Sequence, residues 1–202
     1  MITITTPPGL RERQRQARSE AILETAFTLI VEQGYDTLTM ESLAARVGIS
    51  RQTLYNHFES REEITLRAVL TLMEQGIDAI RALDTSLPPV ERLKQVVRWT
   101  LESRHEPVRA ALFKVRHSLM TIKSHPDYQR AFERRTAALA EIVEAGQEAG
   151  EIRADLLSRL IVYMMIGLMA DASYEDLITA GQTTLTAVSE AIIDVFFTGL
   201  RP

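Results

Sequence analysis

Residues 39–58 read TMESLAARVGISRQTLYNHF, and this stretch organises the N-terminal part of the chain. Its first half has apolar residues at helical spacing and ends at Gly48, a residue type that closes a helix in the left-handed conformation without a Cβ clash. Ser50 can cap a second helix by accepting a backbone N–H. Leu54 and Phe58, at i and i+4, give that second helix an inward face. The stretch therefore predicts two short helices joined by a tight turn.

The second of these helices has a polar outer face. A helix-turn-helix of this kind is the arrangement that places a recognition helix in the major groove of DNA. Arginine, glutamine and asparagine read base edges through paired hydrogen bonds, so we predict base contacts by Arg51, Gln52 and Asn56. The alternative is that these side chains are simply solvated on an exposed helix.

The residues in and around this motif resemble the DNA-binding segment of TetR-family (tetracycline-repressor-like) regulators. The resemblance covers about residues 15–65, and over the rest of the chain it extends to helix count and order. It implies an all-α protein of about nine helices, with an N-terminal three-helix DNA-binding domain and a C-terminal bundle for ligand binding and dimerisation. The matching elements are Thr39, the Leu43-Ala44 pair, residues 47–50, residues 53–58 and residues 60–63.

The resemblance also implies further DNA contacts, the last four of them to the phosphate backbone: Thr39, Thr53, Tyr55, His57 and Arg61. Glu41 departs from the family pattern, because many relatives carry a neutral or basic residue near the DNA. We expect Glu41 either to pair with Arg46 or to face away from the DNA, since its charge would otherwise weaken binding.

Composition and charge fit a small cytoplasmic protein. The chain has 202 residues, no cysteine and no signal-like N-terminus, which argues against a disulfide scaffold and against secretion. Its longest nearly continuous apolar run, residues 160–170, is too short to span a bilayer. The net charge is −4, yet residues 11–18 hold four arginines against Glu12 alone, a local charge of 4 − 1 = +3. We therefore expect phosphate attraction from this basic N-terminal arm.

Capping and breaking signals divide the rest of the chain into helices. Ser60 and Glu63 form a capping box, in which Ser60 bonds the N3 amide and Glu63 reaches back to the cap, and it begins a long helix to about residue 83. Strand-like alternation is absent from the sequence. We predict a DNA-binding domain over residues 1–60 and a ligand-binding and dimerisation domain over residues 61–202. Further helices are expected over residues 90–104, 106–121, 126–150 and 156–173, and around 185–195.

The last two helices are too apolar for the surface of a monomer. Residues 156–173 are apolar on nearly every face, and such a helix must be buried on two sides. One side is the domain core, and the other is most simply a second subunit. The final helix has a 3-4-3 repeat that suits a four-helix bundle. We therefore predict a homodimer through these two helices, which the resemblance also implies. The repeat consists of Leu185, Val188, Ile192 and Val195.

Aromatic and methionine side chains of the middle helices are candidates for an effector cavity, since the resemblance implies that these helices line one. Flexible methionines with a few aromatic rings suit an apolar or aromatic ligand. Ordinary core packing is the alternative for each of them. Arg109 and Arg116 are candidates for a ligand carboxylate, with solvated arginines as the alternative. The predicted ligand-binding residues are Trp99, Phe113, His117, Met120, Tyr163 and Met164.

Catalysis has little support in the sequence. The four histidines show no metal-ligand spacing, and the chain has no cysteine, nucleophile elbow, P-loop or dinucleotide fingerprint. We therefore expect no enzymatic activity, no metal and no cofactor.

The predicted function is a ligand-responsive, sequence-specific transcription regulator, a repressor that a small, mainly apolar effector releases from a palindromic operator. Its expected partners are double-stranded operator DNA, the effector and a second copy of the chain. The alternative is a helical interaction module whose helix-turn-helix binds a protein rather than DNA.

Overall fold

The computed structural model describes residues 9–103, 106–107, 109–110, 120–170 and 173–202. Every regular element among these residues is helical, so the prediction of an all-α fold is confirmed. A 3-10 turn, Tyr35–Thr37, follows the first helix. The α-helices are α1 (Leu10–Gln33), α2 (Met40–Val47), α3 (Arg51–Tyr55), α4 (Arg61–Arg81), α5 (Pro89–Ser103), α6 (Met120–Ser124), α7 (Pro126–Glu148), α8 (Ser158–Ala170), α9 (Ser173–Thr179) and α10 (Leu185–Thr198).

The chain forms two compact units. The first comprises Met1–Val69 with Ala110–Lys123, and the second comprises Leu70–Arg109 with Ser124–Pro202. The boundary between the units therefore lies within α4. The division at residues 60 and 61 expected from the sequence stays a prediction, and most of the helix predicted over residues 106–121 lies outside the described residues.

The first unit is held together by apolar side chains from α1 to α4. The i, i+4, i+8 spacing of Ile22, Ala26 and Ile30 places them on one stripe of α1, and this stripe is buried. Leu43 of α2 and Leu54 of α3 are fully buried. The packed interior fixes how α2 and α3 lie relative to α1. The opposite face of α3 is exposed to solvent. Further buried side chains are Leu29, Leu38, Ala44, Phe58, Ile64 and Ala68.

The second unit has a larger core, to which α5, α7, α8 and α10 each contribute apolar side chains. Leu93 and Val97 of α5 are fully buried, and the helix spacing places them on one face. Side chains from the other helices close around them: Leu139 and Val143 of α7, Ile161, Val162 and Met165 of α8, and Ile193 and Phe197 of α10. In the part of the chain that the structure describes, no helix combines the length and apolar character needed to cross a bilayer.

Helix α8 has two apolar faces, of which one is buried and the other is exposed. One face carries Ile161, Val162, Met165 and Met169 and is buried in the core of the second unit. The other is exposed: Leu160, Met164 and Leu168 are 46%, 39% and 36% accessible, and Leu157 just before the helix is 78% accessible. We call these four side chains the outer row. An exposed apolar row of this kind is a candidate interaction surface.

Helix α10 does not present the single apolar face that its 3-4-3 repeat suggests. Val188 and Ile192 are buried in the chain's own core, whereas Val195 is 75% exposed. The assignment of Ile192 to a subunit interface is therefore corrected to a core position. The reason is geometric: an α-helix turns about 100° per residue, so Val195 points nearly opposite to the buried Ile193 and Phe197, which lie two positions to either side of it.

Candidate nucleic-acid interface

The turn between α2 and α3 has the geometry that its sequence predicts. Gly48 adopts φ 77° and ψ 31°, the left-handed region that favours glycine. The N–H groups of Gly48 and Ile49 both donate to the carbonyl of Ala44, at 3.0 Å each. Ser50 then caps α3, and its Oγ accepts a hydrogen bond from the N–H of Thr53 at 3.1 Å. These bonds fix the angle at which α3 leaves the turn.

Helix α2 begins with a reciprocal cap. Thr39 Oγ1 accepts from the N–H of Ser42 at 3.0 Å, and Ser42 Oγ accepts from the N–H of Thr39 at 3.0 Å. Thr39 itself is exposed. The unpaired amides of a helix N-terminus attract phosphate, so this end of α2 suits a backbone contact, and the DNA-binding role of Thr39 stays a prediction.

Helix α3 brings most of the predicted DNA-contacting side chains to one accessible surface. Leu54 is fully buried beneath them. The helix is shorter than expected, because it ends at Tyr55. His57 and Phe58 lie in the following turn, where both N–H groups donate to the carbonyl of Leu54, at 2.9 and 3.0 Å. Thr53 is half-buried, and the exposed side chains are Arg51, Gln52, Tyr55 and Asn56.

Glu41 pairs with a residue that the sequence did not suggest. Its carboxylate forms an ion pair with Arg51 across the turn, while Arg46 pairs with Glu32 at 3.1 Å. Of the two arrangements expected for Glu41, the pairing with Arg46 is therefore wrong. The side chains of Arg51 and Glu41 are 60% and 63% exposed, so water screens the pair and it contributes little to stability. Glu41 thus neutralises a predicted base-reading cation at low energetic cost.

The basic start of α1 lies against the end of the α3 region. Arg15 donates to the carbonyl of Asn56 at 3.3 Å, and Ser19 Oγ lies 2.9 Å from Nδ1 of His57. Burial lowers the pKa of His57 below its ordinary value of 6.5, and the charges of Arg15 and Arg18 lower it further. The predicted basic arm is therefore the exposed first turns of a helix, and it concentrates positive charge beside the recognition surface.

This arrangement predicts that DNA binding takes up a proton at His57. A phosphate beside the ring would raise a pKa that the arginines hold down in the free protein. Affinity should therefore rise as the pH falls from the pKa of the DNA-bound ring towards the lower pKa of the free protein. The free protein itself loses stability as the pH falls below 6.5, because its unfolded state binds the proton more readily. The check is operator affinity against pH for the wild type and for His57→Gln. Parallel profiles for the two proteins would contradict the contact.

Arg61 already has partners within the first unit. Its guanidinium lies 4.7 Å from the centre of the Tyr35 ring and donates to the carbonyl of Leu38 at 3.3 Å. These contacts connect the start of α4 to the 3-10 turn, and the role of Arg61 at a phosphate stays a prediction. The capping box before α4 differs from the expectation, because the carboxylate of Glu63 accepts from the N–H of Glu59 at 2.7 Å and not from that of Ser60.

The predicted effector residues are spread over different environments. Trp99 is half-buried in the second unit; a Cβ at Gly76 would lie 3.8 Å from its ring, and the guanidinium of Arg109 lies 5.3 Å from the ring centre. Tyr163 and Met164 are exposed on α8, and Met164 belongs to the outer row. They therefore face out of their own subunit. Phe113, His117 and Arg116 lie outside the described residues, as does the side chain of Met120.

Arg109 contacts three side chains of the second unit. Its guanidinium donates to Glu106 at 3.0 Å and to Gln75 at 2.9 Å, in addition to lying over Trp99. A ligand carboxylate would have to displace these partners. The sequence did not indicate them, because Gln75 is 34 residues away along the chain.

A short helix with a polar outer face, set by a glycine turn and flanked by arginines, defines a helix-turn-helix DNA-binding protein. Residues 22–68, from α1 into the start of α4, match the sequence model of the bacterial regulatory proteins of the tetR family. The chain belongs to this family of transcription regulators.

Individual relatives agree with this assignment. The HTH-type transcriptional regulator TcmR of Streptomyces glaucescens is 27% identical over 204 residues, covering 92% of this chain and 90% of its own. The HTH-type transcriptional repressor DhaR of a Mycobacterium species (strain GP1) is 26% identical and covers 72% and 75%. The crystal structure of the transcriptional regulator FadR from Bacillus subtilis in complex with stearoyl-CoA superposes with a TM-score of 0.74 at 20% identity, covering 90% of this chain and 99% of that one. This last similarity shows the fold.

Proposed function

We propose that this protein is a homodimeric repressor that reads a palindromic operator with α3 and is released by a small, mainly apolar effector. The observation that carries the proposal is the exposed polar face of α3 on a buried leucine, beside the basic first turns of α1. The relative DhaR is named a repressor, and the FadR structure holds stearoyl-CoA, a ligand with a long apolar chain.

The proposed contacts divide into two groups by chemistry. Arg51, Gln52 and Asn56 have the donors and acceptors that distinguish base pairs in the major groove. Hydroxyl, imidazole and guanidinium groups on and just after α3, before α2 and at the start of α4 position the protein on the phosphate backbone. These backbone contacts are assigned to Thr39, Thr53, Tyr55, His57 and Arg61.

The outer row of α8 supports a dimer. Four exposed apolar side chains in one line would be unfavourable in water, and a second copy presenting the same line would cover them. Val195 of α10, 75% exposed, is a further apolar side chain left uncovered by its own subunit. A two-fold dimer presents two recognition helices related by symmetry, so it should select a site with the same symmetry.

The effector part of the proposal places a mainly apolar ligand in the second unit near Trp99. Residues of α4 belong to both units, so α4 is a chain element through which occupancy would change the spacing of the two recognition helices. Such coupling requires the ligand to bind one of the two states more tightly. We also propose that Phe113 and His117, which lie outside the described residues, contact the effector.

Selection of bound fragments from random and genomic DNA tests the DNA-reading proposal. We expect an enriched palindrome with half-sites about one helical turn, roughly 10 base pairs, apart. The variant with alanine at Arg51, Gln52 and Asn56 is the control and should enrich no sequence. Failure of the wild type to enrich any sequence, together with salt-insensitive DNA affinity, would favour the protein-interaction module.

Ligand screening on the recovered operator tests the effector proposal. Trp99 is the sole tryptophan of the chain, so its fluorescence reports occupancy near the proposed site. A true effector should change both this fluorescence and operator affinity, and operator DNA should change ligand affinity by the same factor. A compound that shifts operator affinity without altering Trp99 fluorescence would place the effector site elsewhere.

A further inference from the structure

An open groove of about 450 Å³ lies wholly within the second unit. It is bounded by the C-terminal end of α4, the first turns of α5 and the middle of α7. Its volume falls within the range of roughly 300–1,000 Å³ that small-molecule sites occupy. None of the residues proposed for DNA contact lines it, and neither do Trp99, Tyr163 and Met164.

The groove is strongly basic for a chain of net charge −4. Within the described ranges, three guanidinium groups line it, those of Arg81, Arg92 and Arg134, against one carboxylate, that of Glu141. Arg134 also forms an ion pair with Glu74. Among the residues that the structure describes, neither Arg81 nor Arg92 has a carboxylate within ion-pair distance. Two guanidinium charges therefore remain uncompensated by direct partners.

Arg92 is the most informative of these side chains. Its Nε is fully buried, yet it has no hydrogen-bond acceptor in the described part of the protein. The charge of Arg92 contributes to lowering the pKa of Asp84, but less than the hydrogen bonds from Ser86 do, and that carboxylate accepts from the N–H of Ser86 at 2.9 Å. A buried donor without an acceptor costs free energy, and a negative charge bound in the groove would stabilise the guanidinium group to which this donor belongs.

The remaining lining is apolar. Ile80 and Ile142 belong to the groove wall together with two alanines of α7. Guanidinium groups bind carboxylates and phosphates through paired charge-assisted hydrogen bonds, and hydrocarbon suits the apolar wall. We propose that this groove binds a small amphipathic organic anion, with its carboxylate or phosphate head at Arg81 and Arg92 and its apolar body along Ile80 and Ile142.

Calorimetric titration of the full-length protein tests the ligand chemistry. The probes are hexyl phosphate, hexanoate, inorganic phosphate and hexanol. The proposal expects at least one of the two amphipathic anions to bind more tightly than both inorganic phosphate and hexanol, and the better of the two identifies the head group. Equal binding of hexanol and the anions would overturn it, and so would the absence of binding by either anion at millimolar concentration.

Charge variants at the groove test its location. Arg92→Gln and Arg81→Gln should each weaken binding of the better anion by about tenfold, the loss expected for one charge-assisted hydrogen bond. Glu141→Gln should strengthen it, because it removes the one carboxylate that lines the groove in the described part of the chain. Arg130→Gln on the same helix α7 is the control: this residue is 71% exposed, pairs with Asp127 and lies outside the groove, so affinity should not change.

The Arg130→Gln control separates a binding site from general electrostatics. A uniform effect of charge would make Arg130→Gln as damaging as Arg81→Gln, and that outcome would overturn the proposal. Arg81 is exposed, so its replacement leaves the fold intact even if Arg92→Gln lowers the melting temperature. Unchanged anion affinity in Arg81→Gln and in folded Arg92→Gln would also overturn it.

Discussion

Replacing Leu168 by aspartate should convert the proposed dimer into a monomer and reduce operator affinity by about 100-fold or more, because a dimer interface would bury an unpaired carboxylate. Leu168 is 36% exposed in the single chain, so its own subunit does not need it for the core. The monomer should keep its helical content and melting behaviour. Its recognition helix would still be present, but the second half-site contact would be lost.

Sedimentation at micromolar concentration and operator titration measure the two effects. Val31→Asp on α1 is the matched control, since Val31 is 39% exposed but lies in the other unit; it should remain dimeric. The dimer proposal fails if the wild type sediments as a monomer under these conditions. It also fails if Leu168→Asp remains dimeric.

The choice of Leu168 rather than Ile192 shows what apolar periodicity reveals about an interface. The sequence correctly indicated that α8 and α10 carry more apolar surface than one core needs. It did not indicate which side chains the chain covers itself, because that depends on how far each helix is rotated about its axis. Aspartate at Ile192 would charge the subunit core and unfold it, so loss of dimer would carry no information about the interface.

Local signals were the most accurate part of the sequence interpretation. Gly48 and Ser50 act through hydrogen bonds to residues three or four positions away, and both have the predicted conformation or cap. The ion pair between Glu41 and Arg51 depends instead on the angle between two helices. The cation–π contact of Arg61 likewise joins residues 26 positions apart, and neither contact has a signature within one helix.

The basic groove could not be predicted for a related reason. Arg81, Arg92 and Arg134 come from three helices, and each arginine in isolation has the sequence context of an ordinary solvated side chain. Only the packing of α4, α5 and α7 brings the charges to one groove and buries Nε of Arg92. The unsatisfied donor that makes the groove informative is a tertiary property.

The ion pair between Glu41 and Arg51 predicts opposite effects from its two partners. Arg51→Ala should cost about 1–3 kcal/mol of operator binding and relax the preference at particular base pairs, as expected for a side chain that reads a base edge. Glu41→Gln should strengthen binding to all sequences, because it removes a negative charge near the phosphates and leaves the guanidinium unneutralised. Its affinity should also fall more steeply with salt.

Titration of both single variants and the double variant on the selected operator and on a scrambled site separates these effects. If Glu41 acts partly through Arg51, the gain from Glu41→Gln should shrink in the Arg51→Ala background. Glu32→Gln is the matched control, because Glu32 forms a comparable exposed ion pair with Arg46 at 3.1 Å and does not contact Arg51. Its replacement should change operator affinity less than Glu41→Gln does. An Arg51→Ala protein with unchanged preference at every base pair would show that Arg51 does not read sequence, and an unaltered affinity in Glu41→Gln would place Glu41 away from the DNA.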